Sequence, residues 1–304
     1  MQAFVFPGQG AQYCGMGRDV AEEFAEAREV FEEADKALGF PLSRLCFEGS
    51  EEELLLTENT QPAVLTTSIA LFRILENQGR LADFVAGHSL GEYSALVAAG
   101  GLGFQDAVRL VRQRGRFMQE AVPLGEGAMA AVLGLRLPEV EEICQEAGQG
   151  EVVSPANVNS PDQIVIAGHT RAVERAVNLA KERGARRVLP LAVSAPFHCD
   201  LMKPAETRLS EVIRQIPFYD LKIPLINNVE AQIVTGGEEA REGLVRQVSS
   251  AVLWSDCVRR LLRAGVSTFV EVGPGKVLRG LIRKVAPSVQ ITSIENREQL
   301  ETYV

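Results

Sequence analysis

The chain has 304 residues, 46% of them hydrophobic and 23% charged, which is enough for one large core with an insertion or for two modest domains. A formal net charge of -9 with no basic stripe to offset it argues against nucleic acid or an anionic membrane as the main partner. No run approaches the roughly eighteen apolar residues of a membrane span, MQAFVFPGQG carries no charged leader, and the five scattered cysteines lack C-x-x-C spacing. A cytoplasmic protein with mostly buried, reduced thiols and no metal site is expected.

In chain order, AFVF (Ala3 to Phe6) predicts a first buried strand that ends at Pro7-Gly8. Phe24, Ala27, Phe31, Ala34 and Leu38 mark a long amphipathic helix, and a second helix is expected to begin near Thr60, with Pro62 in its first turn. The apolar FVAG then leads into Gly87-His88-Ser89-Leu90-Gly91 and an alanine-rich helical stretch. From residue 127 the pattern becomes strand, helix, strand, strand, helix, strand, which is the order of a split βαβ, ferredoxin-like unit. Alternation resumes afterwards, with LINNV and TFVEVG as strands. The expected fold class is therefore α/β: a parallel-sheet large domain over 1–126 and 195–304, a small ferredoxin-like domain inserted over 127–194, and a ligand cleft between them.

Gly87 to Gly91 is G-x-S-x-G in the context that motif requires, with a strand before the serine and a helix after it. The glycines let the backbone turn sharply and present Ser89 as a nucleophile, while the helix start supplies unpaired N–H groups suited to an oxyanion. The bland alternative makes Ser89 an N-cap on a tight turn. A second glycine-rich turn, Phe6-Pro7-Gly8-Gln9-Gly10, lacks both the dinucleotide fingerprint and the P-loop pattern, as does GPGK at 273–276. The first of these turns can lend the Gln9 backbone N–H to pair with that of Leu90 in an oxyanion hole.

A serine nucleophile needs a base, and the chain has three histidines. His88 adjoins the serine and is expected to line the pocket rather than act as base, and His169 falls on a strand-to-helix turn. His198, in SAPFHCDLM, lies where the chain returns from the insertion and is the expected base. Wound at about 100° per residue, FQDAVRLVRQRGRFMQEA groups Arg109, Arg112 and Arg116 on one face and places Arg114 among Ala107, Leu110, Val111, Phe117 and Met118 on the other. A guanidinium aimed inward is costly without an anionic partner, so either it pairs with an internal Asp or Glu, or its aliphatic stem snorkels round the helix edge, or it awaits a substrate carboxylate. With a nucleophile nearby the substrate reading is preferred, and Met118 joins Arg114 as a pocket residue.

FPGQG, GHSLGEYSAL, RQRGRFMQ, the stretch from Asn157 to Gly168, PFH at 196–198 and EVGPGKVL together resemble the malonyl-CoA:acyl carrier protein transacylases, over residues 4 to about 280. That resemblance implies a hydrolase-like large domain with a ferredoxin-like insertion. It implies Ser89 as the acyl-accepting nucleophile, His198 as its base, Gln9 and Leu90 as oxyanion donors, and Arg114 as the holder of the malonyl carboxylate. Gln247 resembles the residue whose backbone carbonyl orients the histidine, Asn157 a pocket-wall asparagine, and Phe197 a position associated with malonyl over methylmalonyl preference. Malonyl-CoA and acyl carrier protein are the implied partners in fatty acid synthesis, with no cofactor or metal. Competing expectations are a serine esterase or thioesterase, with Asp106 or Asp162 completing a triad, a polyketide-pathway acyltransferase of broader range, and a non-enzymatic acyl-binding scaffold.

Overall fold

A computed structural model describes residues 1–191, 193 and 195–303. Ser194, where the expected insertion ends, lies outside the described residues.

Among the described residues, ten strands form two sheets. The larger joins β1 (Gln2–Phe6), β2 (Phe84–Gly87), β7 (Leu225–Ile226), β8 (Ile233–Val234), β9 (Thr268–Val272) and β10 (Gln290–Ile294) in the order β10-β9-β1-β2-β7-β8. All its pairings are parallel except β7 with β8. Alternation along β1 explains its central place: Phe4 and Phe6 enter one fully buried core while Ala3 and Val5 enter another on the opposite face. The smaller sheet comes from one continuous stretch, β3 (Gly127–Leu133), β4 (Val153–Ser160), β5 (Gln163–His169) and β6 (Arg187–Pro190), antiparallel in the order β4-β5-β3-β6. Helices Leu137–Gly148 and Thr170–Glu182 cover it, with a core of its own. β4 docks on the larger unit through Val158 N–H to the Val252 carbonyl and Val252 N–H to the Ala156 carbonyl, both at 2.9 Å.

Two helices position the site from the larger unit, Thr57–Asn77 and Phe104–Glu120. They cross closely because Gly115 has no side chain: a Cβ there would lie 2.6 Å from the Thr57 carbonyl oxygen. The helix gives up some propensity at Gly115 and gains a contact that brings Arg114 against Gln61.

Two local expectations need correction. The helix expected near Thr60 starts at Thr57, so Pro62 sits beyond the first turn, where its missing N–H leaves a carbonyl of the preceding turn without its helical partner. LINNV is a strand only over Leu225–Ile226, because Asn227 and Asn228 leave the ladder for side-chain hydrogen bonds. The cysteines agree with expectation: four of the five are buried and Cys14 is exposed.

Candidate active site

The turns after β1 and β2 lie side by side, at the carboxyl ends of neighbouring parallel strands, where α/β sheets receive ligands. His88 N–H donates to the Phe6 carbonyl at 3.1 Å, tying the turns together. Gly8, Gly87 and Gly91 are obligatory by contact. A Cβ on Gly91 would stand 2.0 Å from the Phe6 carbonyl oxygen, one on Gly87 would stand 1.9 Å from the Gly91 carbonyl carbon, and one on Gly8 would stand 2.4 Å from the His88 carbonyl oxygen. Between these contacts Ser89 adopts φ 52°, a left-handed conformation costly for a residue with a side chain. Asn228 holds it there: Oδ1 accepts from Ser89 N–H at 2.7 Å and Nδ2 donates to the Gly87 carbonyl at 2.7 Å.

Ser89 is not an N-cap. Leu90 occupies that place without a side-chain bond, and the Ser89 hydroxyl lies 2.7 Å from His198 Nε2. His198 Nδ1 is 2.8 Å from the Gln247 backbone carbonyl. A carbonyl can only accept, so the proton sits on Nδ1 and Nε2 is left to accept the serine proton. Burial, helped by the nearby Arg114 charge, brings the imidazole pKa down to about 3, so His198 is neutral at ordinary pH. Because Gln247 occupies the orienting position, neither acid proposed for a triad can. Asp106 is half exposed and pairs with Arg109, and Asp162 bonds Ser160 and Arg186.

Arg114 is 1% exposed. Nη1 donates to Gln61 Oε1 at 2.9 Å, and Nη2 donates to Gln247 Oε1 at 3.0 Å and to the Ser89 hydroxyl at 3.1 Å. The guanidinium also lies 5.3 Å from the Tyr93 ring centroid. No direct ion pair to it forms among the described residues: its hydrogen-bond partners are neutral acceptors, and the nearest acid, the buried Glu92, reaches it only through Gln247. Arg109 and Arg116 are exposed on the other face, and Arg112 stacks on Phe40 at 4.0 Å.

The acyl transferase domain profile matches residues 3–296. The chain is 49% identical, over 98% of its length and 95% of the relative's, to a malonyl CoA-acyl carrier protein transacylase of Bacillus subtilis. It superposes at TM-score 0.98 on an acyl carrier protein S-malonyltransferase of Vibrio cholerae, 45% identical, covering 100% of this chain and 99% of that one. A malonyl-transacylase in complex with a type II PKS acyl-carrier protein matches at TM-score 0.97 and 45% identity, covering 99% of this chain and 98% of that one. This chain belongs to the acyl transferase family.

In this acyl transferase the Ser89 hydroxyl opens on a cleft of about 320 Å³. Gln9, His88, Leu90, Arg114, Met118, Asn157, Phe197 and His198 all line it, whereas Gln247 lies behind the wall and reaches it only through Arg114 and His198. Among the described residues the Gln9 and Leu90 backbone N–H groups have no hydrogen-bond partner, as donors for an oxyanion must be. His88 is held by Asn159 Oδ1 at 2.8 Å and by edge contact with Trp254, which fits a wall residue. His169 lies elsewhere and accepts from Val152 N–H. A roomier groove of about 590 Å³ beside Phe40, Arg44 and Arg112 contains no nucleophile and base pair.

Sequence reasoning missed Gln61, Glu92, Asn159 and Asn228. The signals were faint: two asparagines interrupting an apolar strand, and an acid in a helix otherwise almost wholly apolar. No metal-ligating group of three or more side chains occurs among the described residues, and no helix there is long and apolar enough to cross a membrane.

Proposed function

We propose that the protein transfers the malonyl group from malonyl-CoA to the phosphopantetheine thiol of acyl carrier protein, in the cytoplasm, supplying extender units for fatty acid synthesis. The observation that carries the reading is Arg114: a buried guanidinium in no direct ion pair among the described residues, 3.1 Å from the nucleophile. An acyl group with a free carboxylate brings the missing charge and places its thioester at the serine. The malonyl-transferring relatives from Bacillus subtilis and Vibrio cholerae agree with that substrate class.

His198 Nε2 takes the Ser89 proton as Oγ attacks the thioester carbonyl carbon, and the oxyanion receives the Gln9 and Leu90 N–H groups. The C–S bond breaks, CoA leaves with the proton from His198, and a malonyl-serine ester remains. The carrier thiol, deprotonated by His198, attacks that ester and regenerates Ser89. A carboxylate that draws Arg114 Nη2 away also frees an Oγ lone pair, so substrate binding sharpens the nucleophile. His198 is oriented by the Gln247 carbonyl, and no resident cofactor enters either half-reaction. In this reading residues 1–126 and 195–304 are a hydrolase-like domain, and 127–194 are a ferredoxin-like insertion whose β3 and β4 supply Met129 and Asn157 to the opposite wall of the cleft.

Intact-mass spectrometry after brief incubation with malonyl-CoA or acetyl-CoA tests this. A malonyl adduct absent in Ser89→Ala, with Arg114→Ala losing malonyl but keeping acetyl loading, is expected. CoA release without an adduct in the parent protein would mean hydrolysis, and equal loss of both acyl groups in Arg114→Ala would remove the carboxylate role.

A further inference from the structure

One carboxyl group in this site has no part in the transfer steps. Glu92, in the first turn of the Gly91–Ala98 helix, is 1% exposed. Its Oε1 has no hydrogen-bond partner among the described residues, while Oε2 accepts from Asn228 N–H at 3.0 Å and from Gln247 Nε2 at 2.8 Å. Burial lifts its pKa to about 7 against those two donors. An apolar side chain would be easier to bury in this helix, so the acid is retained at a cost.

Its use is legible in the Gln247 amide. Nε2 faces three acceptors together: Glu92 Oε2, the Ser89 carbonyl at 3.0 Å and Asn228 Oδ1 at 3.2 Å. Oε1 faces the donor Arg114 Nη2 at 3.0 Å. Turning the amide over would set oxygen against three acceptors and an amide N–H against a guanidinium, so the network admits one orientation. Among the three acceptors Glu92 is nearest and is the one able to carry charge, hence the strongest determinant. The chain of contacts therefore runs from Glu92 through Gln247 to the guanidinium that meets the substrate.

We propose that Glu92 is a positioning residue for substrate selection: it fixes the Gln247 amide so that Gln247 holds Arg114 in place for a carboxylate, and so sets the preference for carboxylated over plain acyl thioesters. This rests on the reading that Arg114 receives the substrate carboxylate. A merely structural Glu92, stabilising the N-terminus of its helix, would affect all acyl groups alike.

The test is the ratio of malonyl to acetyl loading rates on Ser89, followed by intact mass in the parent, Glu92→Gln, Glu92→Leu, Gln247→Leu and the double Leu variant. Glu92→Leu should lower the ratio about tenfold, the scale of one charge-assisted hydrogen bond. Glu92→Gln keeps an oxygen for Asn228 and Gln247 and should restore the ratio to within about threefold of the parent. Gln247→Leu should lower it as far as Glu92→Leu, and the double variant no further. An equal fall in both rates, or additive effects in the double variant, would overturn the proposal. Should Glu92→Leu not fold, Gln247→Leu carries the same decision, an unmoved ratio again overturning it. A parent protein that takes no malonyl adduct refutes the transfer reading itself; normal parental loading with unmoved ratios in the variants refutes only the role of Glu92.

Discussion

The two walls of the cleft are built on different terms. On the larger-sheet side, position is fixed by backbone against backbone: Gly8, Gly87 and Gly91 touch neighbouring main chain, Ser89 is held at φ 52°, and Asn228 bonds the turn from the end of β7. On the smaller-sheet side, Met129 and Asn157 offer side chains to the space and bond neither Ser89 nor His198. The difference teaches where accuracy is needed. On the proposed function, the backbone atoms that meet developing charge are placed by main chain without rotamer freedom, while the facing wall needs only the right shape.

The harshest way to break that comparison is the smallest addition on the rigid side. Gly91→Ala puts a methyl 2.0 Å from the Phe6 carbonyl oxygen and 2.9 Å from that of Pro7, so the turn carrying Gln9 must move. We expect a loss of about 3 kcal/mol or more in stability, and no measurable acyl adduct. Met129→Leu, a volume-conserving change on the soft wall, should cost less than about 1.5 kcal/mol and still load. Thermal unfolding with intact-mass loading on both variants checks this; comparable damage from the two would dissolve the distinction between walls.

Titration sharpens the same contrast, because both the base and its buried neighbour sit on the rigid side. With His198 brought down to about 3, kcat/KM for acetyl-CoA, which offers no carboxylate to Arg114 and so does not report on Glu92, should run level through the usual histidine range near 6.5. An inflection there would show His198 to be hydrated. For stability the signs oppose. As pH falls below about 6.5 the unfolded chain protonates this histidine and the native state does not, so that contribution is lost progressively toward about pH 3. Glu92, raised from 4.5 to about 7, contributes fully below its unfolded value and loses that contribution as pH rises through about 7. Melting curves of the parent and Glu92→Gln between pH 5 and 8 should therefore converge in favour of the variant as pH rises.

How much of this was legible in the sequence follows from the range of each contact. Ser89 and its glycines belong to one contiguous turn, and Arg114 is displaced onto an apolar face by helical phase alone, so both could be read from local pattern. His198 was found by elimination among three histidines at the return from the insertion. Glu92, Asn228 and Gln61 were not legible, because each acts on a residue from another element: Glu92 with Gln247, Asn228 with Ser89, Gln61 with Arg114. Asp106 and Asp162 failed for the mirror-image reason. Their chain order suited a triad, but order says nothing about distance, and a backbone carbonyl, which no side-chain pattern announces, holds the histidine instead.

The mildest test lies at the seam between the walls. Phe197 directly precedes His198, is 8% exposed, and lines the same cleft as Ser89, yet it makes no polar contact with the catalytic pair. On the proposed function its ring limits the space beside the malonyl α-carbon, where a methyl branch would have to fit. Discrimination by one methyl group is worth about 1–3 kcal/mol at most, so Phe197→Ala should raise the methylmalonyl to malonyl loading ratio by roughly tenfold while Ser89 remains the acylated residue. Competition between the two thioesters, read by adduct mass, measures it directly. A large fall in total loading would instead place Phe197 with the rigid side, as a support for the left-handed His198 at φ 61°. A ratio that stays put with loading intact would put the methyl-excluding surface elsewhere in the cleft, where Met118 on the larger-sheet side and Met129 on the facing wall are the next side chains large enough to provide it.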